Sequence, residues 1–591
     1  MGDYFNPFVI PFCIGTALLF VILIWKYISW IRQFDRLQRT IVRKNIFTWK
    51  FLGAIWEMLT ECLFHFRITR KNKLLGYMHR SIAFGWFLLI VVGAVESRLA
   101  VGGGKPFWVS IFFRYFVHDS HTFNGAVIFT NLMDLLLLYV LSGVLLAYSK
   151  RIYSRMFGMK RPTKHVFFDK FALSALWCIF PFRLLSESMT AALYHNGGFM
   201  TQAIGNLFNP SVAAVLELPM WTLYSLALGV FFVALPFSRY MHIFTEVFLI
   251  YFRKLGVKEH EQPTGYTKFE LSACSRCGIC IDACPLNNYL DIKNIQPVYF
   301  LRDLRYNRLQ SEVVNNCLMC GRCEADCPVN IEQAAIRKQM RNKKELDTRD
   351  NYNYVERVKP FNAIARVAYF GGCMSHLTPG ITEAMQAIFE AAGQKYWFMD
   401  QDKTVCCGKP LAQQGFYNQA TELRRENTRL LVQSGAQLLV TSCPICYQEF
   451  KKEYRLPIQV MHHTEYINML IASGRLKVQQ SDLKVVYHDP CELGRGCGIY
   501  DEPRSVLKAV AQPVQARYEK EKSLCCGYNL GNTVLDSDQQ GEIRDASMRS
   551  LLCNNPEMIA TACPMCKKAF MHAKDFPVKD IAEIVKDNLI S

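Results

Sequence analysis

The sequence lacks the signatures of common soluble proteins that bind dinucleotides or nucleic acids. No GxGxxG sequence occurs on a strand-to-helix turn, which argues against an intrinsic flavin or nicotinamide site. No groove-reading motif is present, so the formal net charge of +18 does not by itself indicate nucleic acid. Charged residues are only 20% of the 591 residues and apolar residues are 51%, which excludes a disordered chain and an ordinary soluble enzyme. The length predicts about three or four domains.

Cysteine is scarce in the first 273 residues, which contain 3 of the 23 cysteines, while the other 20 follow. The first 273 residues carry long apolar runs instead. Five of them could cross a hydrocarbon core of about 30 Å at a rise of about 1.5 Å per residue. They are approximately 8–30, 75–95, 123–148, 169–194 and 219–242. We therefore predict a five-helix transmembrane bundle in the first half of the chain.

Basic residues are unevenly divided among the connections between these runs. Segments 31–74 and 149–168 carry ten and six Lys or Arg, whereas 96–122 carries three and 195–218 carries none. The positive-inside rule then places the N-terminus outside and the cysteine-rich half in the cytoplasm, so we expect a multi-pass protein of the cell inner (cytoplasmic) membrane. No basic region precedes the first run and no small-residue cleavage site follows it, so it is expected to remain as a helix. Basic loops that face anionic membrane lipid explain much of the positive charge without nucleic acid.

Two histidines stand at the cytoplasmic ends of apolar runs: His79 at the start of the second and His242 at the end of the fifth. If both helices run as predicted, the imidazoles lie at similar depth, which suits bis-histidine ligation of one b-type haem. The alternative is a pair of interfacial histidines solvated by lipid headgroups.

Among the ionisable residues of the apolar runs, Asp134, Arg183 and Glu187 lie farthest from the ends of their runs. Charges at such depth are costly unless they are paired or line a cavity. A contact with quinone or a haem propionate is one interpretation, and a structural pair of Arg183 with Asp134 or Glu187 is the other.

The pattern C-x2-C-x2-C-x3-C-P occurs twice after residue 273. In this ferredoxin pattern three close thiolates bind one cubane and the fourth crosses to the other cluster. We assign one cluster to Cys274, Cys277, Cys280 and Cys327, and the other to Cys317, Cys320, Cys323 and Cys284. Zinc leaves the proline unexplained, and disulfides are disfavoured on the cytoplasmic side.

Beyond residue 360 the chain contains an internal duplication at an offset of 118 to 120 residues. Five cysteines recur in each copy, and apolar β-type runs precede the first cysteine and the C-P-x-C sequence. The first copy contains Cys373, Cys406, Cys407, Cys443 and Cys446, and the second contains Cys491, Cys525, Cys526, Cys563 and Cys566. Strands that alternate with helices predict two α/β modules with cysteines in loops at strand ends.

Five thiolates are one more than a cubane or a zinc tetrahedron requires. Adjacent cysteines such as Cys406 and Cys407 can direct sulfur to different metals, so the surplus indicates a cluster opened from the cubane form. A redox-sensing dithiol is the alternative for one cysteine pair. His463 and His488 stand near these motifs, where either could relay a proton or be a hydrogen-bonded structural histidine.

These two C-x32-33-CCG-x34-35-C-P-x-C segments look like the cysteine-rich domains of the heterodisulfide reductase catalytic subunit and its relatives, and the double ferredoxin motif matches that subunit's order. The N-terminal half is similar to the cytochrome b subunit of respiratory nitrate reductase and to the membrane partner of heterodisulfide reductase. The resemblance covers nearly the whole chain. It implies a noncubane [4Fe-4S] cluster on each five-cysteine set, beside the two cubane [4Fe-4S] clusters. Since Leu89 and Tyr224 stand where the nitrate reductase subunit has histidines for a second haem, it implies only one haem b.

The predicted fold is thus multidomain, with a transmembrane bundle, an α-helical double [4Fe-4S] ferredoxin-type domain and duplicated α/β cysteine-rich CCG domains. The predicted bounds are 1–255, 256–350, 360–475 and 480–591.

The resemblance implies a membrane-bound oxidoreductase that transfers electrons between a cytoplasmic redox partner and membrane quinone. Relatives with this fused layout are associated with electron-transfer flavoprotein as that partner. One alternative is a reductase that cleaves or forms a disulfide at the noncubane sites. The other is a non-catalytic electron conduit in a larger respiratory complex.

Overall fold

The computed structural model describes residues 4–119, 122–159, 163–343, 364–402, 405–573 and 576–590. The predicted boundary at 350–360 lies outside them. The chain forms two compact units, of which the first comprises Met1–Glu259 and Pro263–Gly278, and the second His260–Gln262 and Ile279–Ser591.

The first unit is helical throughout its described elements. A π-helical turn, Leu59–Leu63, separates α3 from α4. The helices are α1 (Ile10–Arg32), α2 (Arg36–Asn45), α3 (Trp49–Met58), α4 (Phe66–Lys71), α5 (Lys73–Val101), α6 (Trp108–Ile111), α7 (Phe113–Phe116), α8 (Ala126–Ile152), α9 (Phe167–Tyr194), α10 (Phe199–Gly205), α11 (Pro210–Ala234), α12 (His242–Leu255) and α13 (Gly265–Ala273).

Within the described residues, four helices are long and apolar enough to cross a membrane: α1 with its preceding turn, α5, α8, and α11 with its following turn. The fourth predicted run also forms one helix, the 28-residue α9. It carries the buried Arg183 and Glu187 within its length. Helix α9 packs mainly against α11 and also contacts α8 and α10, so much of its surface faces protein.

The predicted bounds of the fifth run, 219–242, were wrong at both ends. Helix α11 begins at Pro210, where the Asn209 side chain caps it and proline occupies the first turn. It ends at Ala234, and a 3₁₀ turn through Pro236 leads to extended backbone at Ser238. His242 therefore begins α12 and does not end the fifth run.

Glycine permits the close packing of α1 on α11. A Cβ built on Gly15 would lie 2.6 Å from the Cα atom of Gly229, closer than a real side chain tolerates. Small residues at such crossings allow helix backbones to approach, which is a common way to pack helices within a membrane.

The second unit begins with short helices around the ferredoxin motifs and continues with two α/β modules. The short helices are α14 (Ile279–Ala283), α15 (Pro285–Tyr289), α16 (Pro297–Arg305), α17 (Ser311–Asn315), α18 (Arg322–Ala325) and α19 (Gln333–Lys343). The first module contains β1 (Val367–Phe370), α20 (Gly380–Ala391), β2 (Trp397–Phe398), α21 (Lys409–Gln414), α22 (Tyr417–Gln433), β3 (Leu438–Thr441), α23 (Pro444–Lys452), β4 (Gln459–His462) and α24 (His463–Ala472). The second contains β5 (Lys484–His488), α25 (Gly494–Cys497), α26 (Asp501–Val510), β6 (Gln512–Val514), α27 (Ser537–Leu551), β7 (Met558–Thr561), α28 (Pro564–Met571), β8 (Val578–Asp580) and α29 (Ile581–Asp587).

Both modules have the same sheet topology, which confirms the predicted duplicated α/β arrangement. Their four-stranded sheets have the orders β2-β1-β3-β4 and β6-β5-β7-β8. Every pairing within them is parallel. Parallel strands need crossover connections, and helices supply them.

One hydrophobic core joins the two modules. It includes Ile388 and Ile467 from the first module and Val506 and Ile584 from the second, all almost fully buried. Within this interface His463 Nε2 lies 3.0 Å from an Asp580 carboxylate oxygen, and neither side chain is exposed. This contact gives His463 a structural role between the modules.

Candidate functional site

The cysteines of each module lie where parallel strands end. Strand β1 leads to Cys373 and β3 to Cys443, and in the second module β5 leads to Cys491 and β7 to Cys563. Because the carboxyl ends of parallel strands meet at one edge of a sheet, distant cysteines come together there. A proline in the first turn of α23 and of α28 starts the helix directly after the strand-end cysteine.

In the first module the five thiols form one group with one solvent-exposed member. Cys406, Cys407, Cys443 and Cys446 are buried and Cys373 is exposed. The Cys407 thiol contacts those of Cys406 and Cys446. Although the residue as a whole is exposed, protein surrounds much of its thiol; this desolvation, together with the nearby Cys443 and Cys407 thiols, raises the pKa of Cys373 to about 12.

Gly372 keeps the approach to this group open. A Cβ there would lie 2.9 Å from Cys443 Cβ and 3.1 Å from Cys446 Sγ. Its φ of 87° is also in the left-handed region that glycine tolerates best. The Gly371 and Gly372 amides donate to Asp400 at 2.8 and 2.6 Å, which fixes the turn.

The second module repeats this arrangement with a less exposed first cysteine. Cys525, Cys526, Cys563 and Cys566 are buried, and Cys491 is half-buried. Cys566 Sγ donates to Cys526 Sγ at 3.5 Å. The Cys525 thiol contacts those of Cys491 and Cys526. The thiols of Cys443 and Cys563 lie near enough to interact, so the two groups are neighbours.

The ferredoxin-type segment brings further thiols together within the second unit. Burial and the neighbouring Cys317 and Cys320 thiols raise the pKa of Cys284 to about 12. The Cys323 thiol faces Cys280 as well as Cys317 and Cys320. Cys327 follows α18 in the same unit.

Two cysteines of the first ferredoxin motif belong to the first unit. Cys274 directly follows α13, and Cys277 accepts a hydrogen bond at its carbonyl from Lys150 Nζ at 3.1 Å. Between them, Arg276 forms a buried ion pair with Asp169 at the start of α9. The turn that carries these two cysteines is thus tied to the helical bundle.

The donor set of the thiol groups is all sulfur, which favours iron-sulfur clusters. Within the ranges that the structure describes, no three His, Cys, Asp or Glu side chains are arranged to hold one metal ion.

A contact joins the ferredoxin-type segment to the second module. The thiols of Cys320 and Cys525 are hydrogen-bonded to each other. Arg495 holds this junction, because its guanidinium donates to the Cys320 carbonyl at 2.7 Å and to the Ser523 carbonyl at 2.8 Å. The buried Arg341 adds a bond of 2.6 Å to the Gly531 carbonyl.

The candidate haem ligands lie near a histidine that sequence reasoning missed. His242 falls within electrostatic range of His79, and the His65 ring stacks on that of His79 at 5.7 Å between centroids. His242 Nδ1 lies 2.8 Å from the Arg239 carbonyl, a contact that orients the imidazole ring. His65 lies in the connection before the second run, where no apolar periodicity marks it.

Asp134 has a structural role. Its carboxylate accepts the Met200 and Thr201 amides at 2.8 and 2.9 Å, so it caps α10. Arg183 instead pairs with Glu187 at 2.9 Å.

A second buried pair was not predicted from the sequence. Arg114 lies 2.6 Å from Glu96 and 2.7 Å from the Thr130 hydroxyl. Arg114 belongs to the connection between two runs, so only its proximity to Glu96 in the fold could identify it.

Comparison with known families agrees with the cysteine patterns. The Cysteine-rich domain (CCG) family model matches residues 367–451 and 485–571, and the 4Fe-4S dicluster domain family model matches 270–331. Both ranges of the first family contain a complete five-cysteine set.

Three curated relatives are similar over much of the chain. A dihydromethanophenazine:CoB--CoM heterodisulfide reductase subunit of Methanosarcina acetivorans is 25% identical over 54% of this chain and 92% of its own. The EtfAB:quinone oxidoreductase of Syntrophomonas wolfei is 24% identical over 94% of this chain and 90% of its own. A fumarate reductase (CoM/CoB) subunit of Methanothermobacter marburgensis is 25% identical over 52% of this chain and 68% of its own.

These matches agree with the thiol groups that the structure brings together. They cover the ferredoxin motifs and both modules, and the relatives are named as reductases or oxidoreductases. The chain is a heterodisulfide reductase-like iron-sulfur oxidoreductase that carries two cysteine-rich CCG domains and a 4Fe-4S dicluster domain.

Proposed function

We propose that this protein transfers electrons between a cytoplasmic electron-transfer flavoprotein and membrane quinone. The observation that carries the proposal is the match to EtfAB:quinone oxidoreductase, which extends over 94% of the chain and so includes the apolar helices as well as the cysteines. The four apolar helices support an association with membrane lipid, where quinone dissolves. We place the N-terminus outside and the iron-sulfur domains in the cytoplasm, since the basic connections favour that orientation.

We assign four clusters and one haem to the chain's own ligands. When bound, these groups supply one-electron redox chemistry over a wide range of potentials. Cubane [4Fe-4S] clusters are assigned to Cys274, Cys277, Cys280 and Cys327, and to Cys317, Cys320, Cys323 and Cys284. Noncubane clusters are assigned to Cys373, Cys406, Cys407, Cys443 and Cys446, and to Cys491, Cys525, Cys526, Cys563 and Cys566. The haem b is assigned to His79 and His242.

Thiol contacts in the second unit support an order in which electrons pass between these sites. Cys320 touches Cys525, so the ferredoxin-type segment adjoins the second module. The Cys443 and Cys563 thiols then bring the second module's set next to the first module's set. Cys373 is exposed, so the redox partner is proposed to meet the first module. Arg495 holds the junction between the segment and the second module.

The quinone headgroup is proposed to bind among the helices that bear Arg183 and Glu187. This pair is buried among the helices, and a guanidinium can donate a hydrogen bond to a quinone carbonyl. Asp134 is left out of this assignment because its carboxylate is occupied by the cap of α10.

A disulfide reductase is the second candidate, favoured by one observation. The chain matches the heterodisulfide reductase subunit of Methanosarcina acetivorans over 92% of that relative's length. An exposed cysteine at the first set would also allow a disulfide substrate to approach.

The two candidates separate in one assay with the anaerobically purified full chain. Reduced electron-transfer flavoprotein is mixed with a quinone, and in a parallel sample with the CoB--CoM heterodisulfide. We expect flavoprotein oxidation that depends on quinone and is lost in Cys407→Ser. The control Cys553→Ser alters an exposed thiol outside every motif and should retain activity. Disulfide-dependent oxidation without quinone-dependent oxidation would favour the second candidate and contradict the first.

A further inference from the structure

The two modules share their cysteine pattern but differ in the charged residues behind it. One residue past Cys-Cys-Gly, the first module has Lys409 and the second has Tyr528. Three residues past the last cysteine, the first module has Glu449 and the second has Ala569. The cysteine register makes these pairs of positions equivalent. At these equivalent positions the two modules therefore differ in residue type, although their topology is the same.

Lys409 and Glu449 form a buried ion pair. Lys409 is only 8% exposed and Glu449 is fully buried. Lys409 Nζ donates to Gln448 Oε1 at 2.6 Å and lies 3.6 Å from Glu449 Oε2. Arg424 holds the other carboxylate oxygen of Glu449 at 2.6 Å. The carboxylate is therefore fixed between two cations.

This pair faces the thiols of the first module. The backbone amide of Lys409 donates to Cys407 Sγ, and the charge of Lys409 acts on the same thiol. Cys407 in turn lies within range of the Glu449 carboxylate. Water is excluded from these side chains, so charge interactions there are stronger than at the surface.

No buried lysine and glutamate take these two positions in the second module. The Tyr528 side chain is only half-buried and is hydrogen-bonded to Arg544. Ala569 is fully buried and carries no charge. The two sets of five thiols thus lie in different electrostatic surroundings, although their ligands correspond one to one.

We propose that the Lys409–Glu449 pair sets the reduction potential of the noncubane cluster in the first module and makes it differ from that of the second. This inference rests on the proposed function only in assuming that the first five-cysteine set holds its cluster. Reduction adds one electron to the cluster, so a nearby cation stabilises the reduced state and a nearby anion destabilises it. Lys409 and Glu449 therefore act in opposite directions. They are positioning residues, because they act through the cluster and its ligands.

The test is a mediated redox titration of the full-length protein, followed by electron paramagnetic resonance and without flavoprotein or quinone. Cys407→Ser and Cys526→Ser first identify the signals of the two modules. Lys409→Gln should shift the first-module midpoint to lower potential, and Glu449→Gln should shift it to higher potential. The double variant should fall between them. Lys409→Arg retains the positive charge and should lie closest to the unaltered protein.

Tyr528→Phe is the position-matched control and should leave the first-module midpoint unchanged. Shifts of both single variants in the same direction, or no shift in either, would overturn the proposal. If Lys409→Gln fails to assemble the cluster, the sign of the Glu449→Gln shift still decides. If Cys407→Ser removes no signal, the cluster assignment itself is contradicted. That outcome is distinct from a cluster that is present but whose midpoint potential does not change in the Lys409 and Glu449 variants.

Discussion

Gly372→Ala tests whether the thiols of the first module surround a common cluster. The added methyl group would stand 2.9 Å from Cys443 Cβ and 3.1 Å from Cys446 Sγ, so at least one cysteine must move. The residue would also have to retain a φ of 87°. Gly393→Ala is a matched control, because Gly393 belongs to the same module and has a φ of 62° but meets nothing within 4 Å.

The expected magnitudes follow from these two contributions. A left-handed backbone costs an ordinary residue about 1–2 kcal/mol. Overpacking of a closed site adds about 1–3 kcal/mol. Gly372→Ala should therefore destabilise the first module by about 2–5 kcal/mol, and the control by about 1–2 kcal/mol. In Gly372→Ala the strain falls on Cys443 and Cys446, which are two proposed cluster ligands.

The assay is iron analysis with electron paramagnetic resonance on anaerobically purified protein. Gly372→Ala should lose the first-module noncubane signal and about four iron atoms, with the other clusters retained. Gly393→Ala should retain the full iron content. A Gly372→Ala protein with an unaltered first-module signal would refute the reasoning, since it would mean that Cys443 and Cys446 need not stay in place.

Three further predictions concern the whole chain. Purified protein should contain about 16 iron atoms beyond haem, whereas about eight with bound zinc would contradict the two noncubane sites. A cytoplasm-dependent reporter fused after Ser591 should be active and one inserted near Gly198 inactive, and the reverse pattern would overturn the proposed orientation. Pyridine haemochrome analysis should return one haem b per chain, lost in His79→Ala and in His242→Ala but not in His118→Ala; two haems, or none, would contradict the ligand assignment.

The sequence predicted those parts of the fold that local patterns encode. The apolar runs before Cys373, Cys443, Cys491 and Cys563 correspond to β1, β3, β5 and β7, the central strands of the two sheets. The edge strands were not predicted. Strand β2 has only two residues, and the edge strand β6 is largely exposed, so neither carries a strong periodic signal.

The sequence did not predict the contacts between polar groups that are distant along the chain. Glu96 and Arg114 are 18 residues apart and belong to different elements, so no helical spacing relates them. His65 directly precedes α4 and has a left-handed backbone, with a φ of 54°. The turn at this residue brings its ring next to that of His79. Arg183 and Glu187, in contrast, are four apart on one helix, and that spacing alone predicts their contact.

Duplication does not make the two modules equivalent. Their shared core, with the His463–Asp580 contact inside it, brings the two thiol groups together at Cys443 and Cys563. The ferredoxin-type segment, however, meets the second group through Cys320, while the exposed cysteine belongs to the first. A symmetric pair of sites would leave both groups equally placed for a partner and for the proposed cubanes. Because the contacts of the two groups differ, the proposed electron transfer is better matched by two modules that act in series than by two sites that work in parallel.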